Sequence, residues 1–403
     1  MMRCCFITLG CRVNQYESDA MAELLTQAGF EITENPAEAD VCIVNTCTVT
    51  NIADRKSRQM LSKAHKLNPN AKLIAAGCFA QRSPEAAAKL EGVYAVLGSA
   101  DKNRVVELVK SIAEGRENEP NGEKCNCGEK ELCDCFGSAE KSECSGDKSG
   151  GAKILVRDVM HEHEFEEMSA VHEGRTRAYL KIQDGCNMFC TYCAIPYARG
   201  GLRSRSIESV RAEAEKLNNE GFSEVVLTGI HLMSYGRDLR SGTDIRDAVR
   251  CFDGLNNIKR IRFGSLEPHM MTDEIIAELA DNKRICRQFH LSLQSGSDTV
   301  LERMRRGYTS GQYFELCQKL RRAFGGETAV TTDIIAGFPG ETEEEHLETI
   351  EFMRKVGFAK VHIFPYSRRS GTKADAMPGQ LSNAEKSRRA GELIAVGRES
   401  EHE

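Results

Sequence analysis

The chain has 403 residues, 40% of them apolar and 28% charged, with 17 cysteines and a formal net charge of −6. That profile fits a folded chain of two or three domains and excludes a generally basic nucleic-acid binder, so any nucleic-acid contact must use a local patch. No apolar run approaches the roughly 18 residues of a membrane span, and Met1-Met2-Arg3-Cys4-Cys5-Phe6 leads into a strand rather than a signal peptide. This many cysteines without a secretory signal points to a reducing, cytoplasmic setting and to metal or thiol chemistry, not to a disulfide framework.

Residues 1–114 read as an α/β domain. Strands are expected at 5–9, 41–44 and 73–76, with helices at 15–28 and 52–67 between them. Such alternation predicts a parallel sheet. Each strand runs into a loop cysteine: Gly10-Cys11, Asn45-Thr46-Cys47 and Gly77-Cys78. The carboxyl edge of an open α/β sheet is where ligands bind, so Cys11, Cys47 and Cys78 are expected to converge there as a three-cysteine metal site. The plainer reading, a small buried hydrophobe, suits Cys4, Cys5 and Cys42 better.

A polar insert and linker are expected over 115–171. Residues 115–151 carry nine acids, five bases and scarcely any large apolar side chain, which cannot bury a core. The stretch nevertheless holds Cys125, Cys127, Cys133, Cys135 and Cys144. They suit either a further metal or redox site or a solvated linker whose thiols bind metal opportunistically.

Residues 172–374 give six strand patterns, near 178–182, 224–228, 260–263, 288–293, 329–335 and 360–364, alternating with helix patterns. Six βα repeats predict a partial (β/α)6 barrel with its chemistry at the carboxyl ends of the strands. The loop after the first strand carries Cys186, Cys190 and Cys193, at spacing C-x3-C-x2-C. Iron–sulfur clusters normally take four cysteines, so three thiolates predict a cubane with one iron left open, as catalytic metal sites are. A structural zinc site lacks a nearby fourth ligand, and a thiol-redox pair of Cys190 and Cys193 leaves Cys186 unexplained. The same barrel face is expected to offer Thr228, Gly229, Ser265, Glu267, Gln294 and Gly337 to a polar cofactor, with Tyr192 inside the cysteine motif.

The C-x3-C-x2-C motif after the first strand of a six-fold βα chain resembles the radical S-adenosylmethionine (SAM) superfamily. His290-Leu291-Ser292-Leu293-Gln294-Ser295-Gly296-Ser297 and Met304-Arg305-Arg306-Gly307-Tyr308-Thr309, with the three-cysteine amino-terminal domain, resemble the methylthiotransferases within it. Leu9-Gly10-Cys11-Arg12-Val13-Asn14-Gln15-Tyr16-Glu17-Ser18 is most similar to the branch acting on N6-threonylcarbamoyladenosine beside the tRNA anticodon. The isopentenyladenosine and ribosomal-protein branches are the alternatives, and a non-catalytic iron–sulfur scaffold or electron carrier is the alternative of another class.

The resemblance implies two [4Fe-4S] clusters, with SAM on the Cys186/Cys190/Cys193 cluster giving a 5′-deoxyadenosyl radical that takes hydrogen from C2 of the adenine. The Cys11/Cys47/Cys78 cluster would supply the sulfur, methylated by another SAM. It also implies an external electron donor, a sulfur source and a tRNA anticodon stem-loop as partners of a chain expected to be monomeric. Arg199, Arg203, Arg205, Arg305, Arg306, Arg368, Arg369 and Lys373 are expected either to meet tRNA phosphates, with Tyr366 stacking a base, or to form a solvated surface with ion pairs. Over 375–403 one polar helix is expected, near 383–398, where family members usually continue into a β-barrel RNA-binding module called TRAM. Without that module, weaker and more salt-sensitive tRNA binding is expected.

Overall fold

The computed structural model describes residues 1–115, 151–170 and 176–401. Its amino-terminal part contains β1 (Arg3–Thr8), α1 (Arg12–Gln27), β2 (Glu31–Ile32), β3 (Val41–Thr46), α2 (Asn51–Leu67) and β4 (Lys72–Gly77). It continues with α3 (Cys78–Arg82), α4 (Pro84–Ala88), β5 (Val93–Leu97), α5 (Val105–Ala113) and β6 (Lys153–Leu155). The six strands form one parallel sheet in the order β2-β1-β3-β4-β5-β6. Every residue of β3 is buried, as a central strand covered on both faces requires. Cys4, Cys5 and Cys42 pack in the core.

Sequence patterning missed the outer half of this sheet. Val93–Leu97 is a short apolar run that periodicity alone does not assign. Lys153–Leu155, expected within the linker, pairs Ala95 with Lys153 and Leu97 with Leu155. The insert cysteines Cys125, Cys127, Cys133, Cys135 and Cys144 lie outside the described residues.

The second part follows in order: β7 (Ala178–Lys181), β8 (Gln183–Asp184), α6 (Ile195–Arg199), β9 (Arg203–Ser204), α7 (Ile207–Asn219), β10 (Glu224–Thr228), α8 (Ile245–Arg250), β11 (Arg260–Phe263) and β12 (Ser265–Leu266). Then come α9 (Asp273–Asp281), β13 (Gln288–Leu291), α10 (Asp298–Arg303), α11 (Ser310–Phe324), β14 (Ala329–Ala336), α12 (Glu343–Val356), β15 (Lys360–Pro365) and α13 (Asn383–Glu401). Strands β11-β10-β7 and β12-β13-β14-β15 form two parallel sheets. Only Gly264 separates β11 from β12, and a parallel bridge from Ile261 to Ile285 continues the ladder. The result is an open barrel of six strand positions, as the repeat pattern predicts.

Burial alternates along β14: Val330, Thr332, Ile334 and Ala336 are buried, and the residues between them are only half-buried. One face therefore packs on helices and the other lines the lumen. Helices start where short polar caps allow it. Thr309 with Gln312 and Thr342 with Glu345 form capping boxes at α11 and α12. The carboxyl-terminal helix α13, expected as merely polar, buries Ala390, Leu393 and Val396 in the barrel core. No helix of the described residues is long and apolar enough to cross a membrane.

Candidate active site

The barrel cysteines occupy the loop that follows β8. Gly185 has φ +69°, and a Cβ there would lie 1.7 Å from the Gly201 carbonyl oxygen, so only glycine permits this turn. The turn delivers Cys186, whose N–H donates to Gly200 O at 3.0 Å. Thr191 anchors the loop: its N–H donates to Met304 O at 3.1 Å and its hydroxyl to Arg303 O at 2.9 Å. Ala374 N–H returns to Thr191 O at 2.8 Å. The three thiols lie close together, and Cys190 is near enough to raise the pKa of both Cys186 and Cys193. Burial is the larger cause, pushing Cys186 up to about 11 and Cys193 up to about 12. A bound cation reverses that penalty and holds the thiolates.

The same face carries a polar constellation. Arg306 donates from Nη1 to Cys190 Sγ at 3.3 Å and from Nη2 to Ser292 O at 3.0 Å, and it also bonds Glu267. Burial raises the Glu267 carboxyl above its ordinary range against the pull of Arg306. His231 is buried, with Nδ1 on Ser234 Oγ at 2.7 Å and Nε2 3.7 Å from Glu267 without a hydrogen bond. Burial first, then Arg306 and His269, push His231 down to about 4, so it is neutral near pH 7. Thr228 is buried at the end of β10, and Gly229 sits where a Cβ would be 2.9 Å from Gln183 Oε1.

Gln294 holds φ +75° between Asp333 O and Ile335 N, an unusual conformation for a side-chain-bearing residue. Ser265 is exposed, and Tyr192 packs with Met304, Phe338 and Tyr366. Gly337 differs from expectation. Its missing Cβ makes room for Lys386 of α13, 2.7 Å from the ideal position, so its φ of +73° serves packing at that contact.

The other three cysteines gather from three loops at the carboxyl edge of the amino-terminal sheet, as the topology predicts. A Cβ on Gly10 would fall 2.9 Å from Cys47 Sγ, which places Cys47 against the Cys11 loop. Ser57 of α2 bonds Cys47 twice, accepting from its N–H at 3.1 Å and donating to its carbonyl at 2.9 Å. Asn14 ties the loops together, donating to Leu9 O at 2.8 Å and to Thr46 O at 2.9 Å. Burial pushes Cys47 up to about 12 and raises Cys78 as well, whereas Cys11 is exposed.

Arg199 connects this group to the barrel. Its Nε donates to Cys78 Sγ at 3.2 Å, Nη2 to Asn14 Oδ1 at 2.6 Å, and Nη1 to Asp184 Oδ2 at 3.1 Å and to Glu17. Lys181 Nζ lies 2.7 Å from Glu17 and 2.6 Å from Asp184, and Lys102 Nζ lies 3.3 Å from Glu17. Burial would raise the Glu17 carboxyl, but Arg199, Lys102 and Lys181 outweigh it and hold it at about 2. The buried cations Lys102, Lys181, Arg199 and Arg203 face the buried carboxylates Glu17 and Asp184 and the part-buried Glu166, 3.9 Å from Lys102, which leaves a surplus of one positive charge. Uncompensated buried charge is expensive, and an anionic thiolate–metal group at Cys78 would match the surplus. Three buried or edge thiols, a surplus of cation and a donor aimed at sulfur fit a thiolate-bound cluster.

Five of the cations expected on a tRNA-facing surface are instead interior. Arg199 and Arg306 serve the two thiol sites. Arg203 donates to Arg199 O at 2.9 Å, Arg205 lies 3.5 Å from Glu213, and Arg369 lies 2.8 Å from Asp54. A stacked base at Tyr366 is excluded as well, since its ring is buried against Phe338. Arg305, Arg368 and Lys373 remain exposed, with Arg368 paired to Asp375 at 2.5 Å. Composition counts charges but cannot tell a free one from one whose partner lies more than a hundred residues away. His231 was legible only as the end of Thr228-Gly229-Ile230-His231, and nothing local marked it as half of a buried pair.

Comparison with known proteins agrees with this architecture. Residues 180–353 match the Radical SAM superfamily, and residues 3–98 match a family described as Uncharacterized protein family UPF0004. The chain is 39% identical over 392 residues to the threonylcarbamoyladenosine tRNA methylthiotransferase MtaB of Bacillus subtilis, covering 97% of this chain and 79% of that protein. It is 36% identical to the MtaB of Aquifex aeolicus, covering 94% and 84%. It is 34% identical to the tRNA-2-methylthio-N(6)-dimethylallyladenosine synthase of Moorella thermoacetica, covering 97% and 81%. Among solved structures, the radical SAM methyltransferase TsrM of Kitasatospora setae, with cobalamin and a [4Fe-4S] cluster bound, superposes with a TM-score of 0.63 at 17% identity. That match covers 93% of this chain and 77% of TsrM, and it supports the fold alone. With both thiol sites on one α/β scaffold and relatives this similar over nearly its whole length, the chain belongs to the radical SAM methylthiotransferases, a family of sulfur-group transferases.

Proposed function

We propose that this enzyme adds a methylthio group to C2 of N6-threonylcarbamoyladenosine beside the anticodon of tRNA. The observation that carries the reading is the pair of three-cysteine sites joined through Arg199: a site for radical generation and a site for sulfur, held in fixed relation. The substrate follows the MtaB relatives at 39% and 36% identity, ahead of the dimethylallyladenosine synthase at 34%. In this reading Cys186, Cys190 and Cys193 hold one [4Fe-4S] cluster, and Cys11, Cys47 and Cys78 hold the other. Residues 1–114 with the strand at 153–155 form the sulfur domain, 172–374 the radical barrel, and 375–403 its closing helix. When bound, the clusters and SAM supply one-electron chemistry and sulfur, which no acid–base side chain can provide at an unactivated C–H bond.

The chain's own residues position and exclude. Arg306 fixes Cys190 against Glu267 and donates to the sulfur. Neutral His231 offers an unshared Nε2 to the polar face, and Thr228, Ser265 and Glu267 offer further hydrogen bonds there. Arg199 orients Cys78 and, through Asp184, the turn that leads into Cys186. Burial of Cys186 and Cys190 keeps water from the reacting centre. An external electron donor and a sulfur source complete the cycle, in a cytoplasmic monomer.

The test is anaerobic reconstitution with SAM and reductant, followed by mass analysis of tRNA nucleosides. A methylthio gain on threonylcarbamoyladenosine is expected. A gain on isopentenyladenosine alone, or on a ribosomal protein, would overturn the substrate assignment.

A further inference from the structure

The burial of five expected RNA-facing cations leaves a question of where an anionic substrate is gripped. Helix α2 supplies a surface whose cations no ion pair engages among the described residues. Along its 17 residues Arg55, Lys56, Arg58, Lys63 and Lys66 are all exposed. Arg55, Arg58, Gln59, Ser62, Lys63 and Lys66 line one shallow groove. The only acid in the helix, Asp54, turns inward, accepting from Thr48 Oγ1 at 2.7 Å and pairing with Arg369 at 2.8 Å. Glu91, at the helix's far end, lies 3.7 Å from His65. None of the five cations has an ion-pair partner among the described residues, although the chain as a whole carries net charge −6. Arg58 only lies over the Phe79 ring at 5.6 Å, which leaves its charge available.

The position of the helix is as informative as its charge. It begins four residues after Cys47, and its Ser57 holds Cys47. Its first residue, Asn51, bonds Ser367 Oγ at 2.9 Å and Arg368 O at 2.6 Å at the mouth of the barrel. From Arg55 to Lys66 the cationic ridge runs away from that mouth for about 16 Å, at 1.5 Å per residue. We propose that this face of α2 is the phosphate-binding surface for the stem of the RNA hairpin whose loop nucleotide enters the site. The inference rests on the tRNA reading given above and adds to it the surface that takes the backbone. Lysine and arginine without base-reading geometry fit a sequence-independent grip on phosphates, with specificity left to the pocket.

The experiment is fluorescence anisotropy of a labelled anticodon stem-loop carrying threonylcarbamoyladenosine, titrated with the reconstituted full chain from about 0.05 to 0.2 M salt. Each phosphate contact contributes about 0.7–0.9 to the slope of log affinity against log salt. The Arg55→Glu/Lys63→Glu/Lys66→Glu variant should bind at least about tenfold more weakly and lose about two units of slope. A Lys63→Arg/Lys66→Arg variant should keep both. Unchanged affinity and slope in the triple variant overturns the surface. If the wild type methylthiolates tRNA while the triple variant binds equally well, the surface alone is wrong. A wild-type chain that does not bind the RNA at all overturns surface and tRNA reading together.

Discussion

The two three-cysteine sites are built in opposite ways. The barrel site comes from one loop, with Cys186, Cys190 and Cys193 inside eight consecutive residues fixed by the Gly185 turn and the Thr191 anchors. The amino-terminal site comes from three loops, and its geometry depends on sheet order, on Asn14 as a tie, itself held by the Asn45 amide donating to Asn14 O at 2.9 Å, and on a guanidinium from the other domain. A local site carries its own geometry in its spacing. An assembled site borrows geometry from the fold, so distant residues such as Ser57 and Arg199 become part of it.

The sharpest way to break the comparison is to disable each site in turn. Cys190→Ala should abolish both SAM cleavage and methylthiolation. Cys47→Ala should abolish methylthiolation while SAM cleavage persists, and each variant should lose about half of the bound iron. Iron analysis and product assays check this, and equal loss of SAM cleavage in both variants would show that the sites do not divide the work.

The next effect concerns the tie between the sites. In the cluster-loaded chain, Arg199→Met removes the one guanidinium that bonds Cys78, Glu17 and Asp184 together and leaves thiolate and carboxylates short of positive charge, at a cost of about 3–5 kcal/mol. Denaturant unfolding should register the loss. A cost below about 1 kcal/mol would mean that Lys102 and Lys181 alone satisfy the carboxylates.

A third effect separates the barrel's polar face from the assembled site. His231 ionises near 4 in the fold against about 6.5 when exposed. The unfolded chain therefore takes up the proton first. Stability is fully present above about pH 6.5 and falls as pH drops towards 4, by up to about 3 kcal/mol. His231→Gln should flatten that segment of the stability–pH curve, and an unchanged slope would show that His231 is not the group responsible. The smallest effect is Ser57→Ala, which removes both bonds to Cys47 at about 1–2 kcal/mol. It should loosen the amino-terminal cluster, seen as faster iron loss to a chelator, with the barrel cluster unaffected.

Much of the architecture was legible in the residues. The strands at 224–228 and 260–263 fall where the residue pattern predicts them, and helices follow the strands as expected, with α11 and α12 opening on explicit capping boxes. The convergence of Cys11, Cys47 and Cys78 followed from strand direction alone. Illegible were features set by long-range packing: the pairing of Lys153–Leu155 with β5, the docking of α13, the Lys386 contact that claims Gly337, and the burial of arginines at 199, 203, 205, 306 and 369. A short run such as Ala95-Val96-Leu97 lacks a period, and an arginine looks the same in sequence whether it faces a phosphate or a buried carboxylate.

Arg199 has one more consequence. A guanidinium that touches a cysteine of one domain and the motif-leading aspartate of the other works as a crossbar, and buried charges resist being drawn apart. The spacing between the two thiol sites is then set at folding. In the proposed reaction, any travel needed to bring a carbon first to the hydrogen acceptor and then to sulfur would fall to the nucleotide, and a replacement sulfur would enter through the exposed rim at Cys11 while the crossbar stays closed.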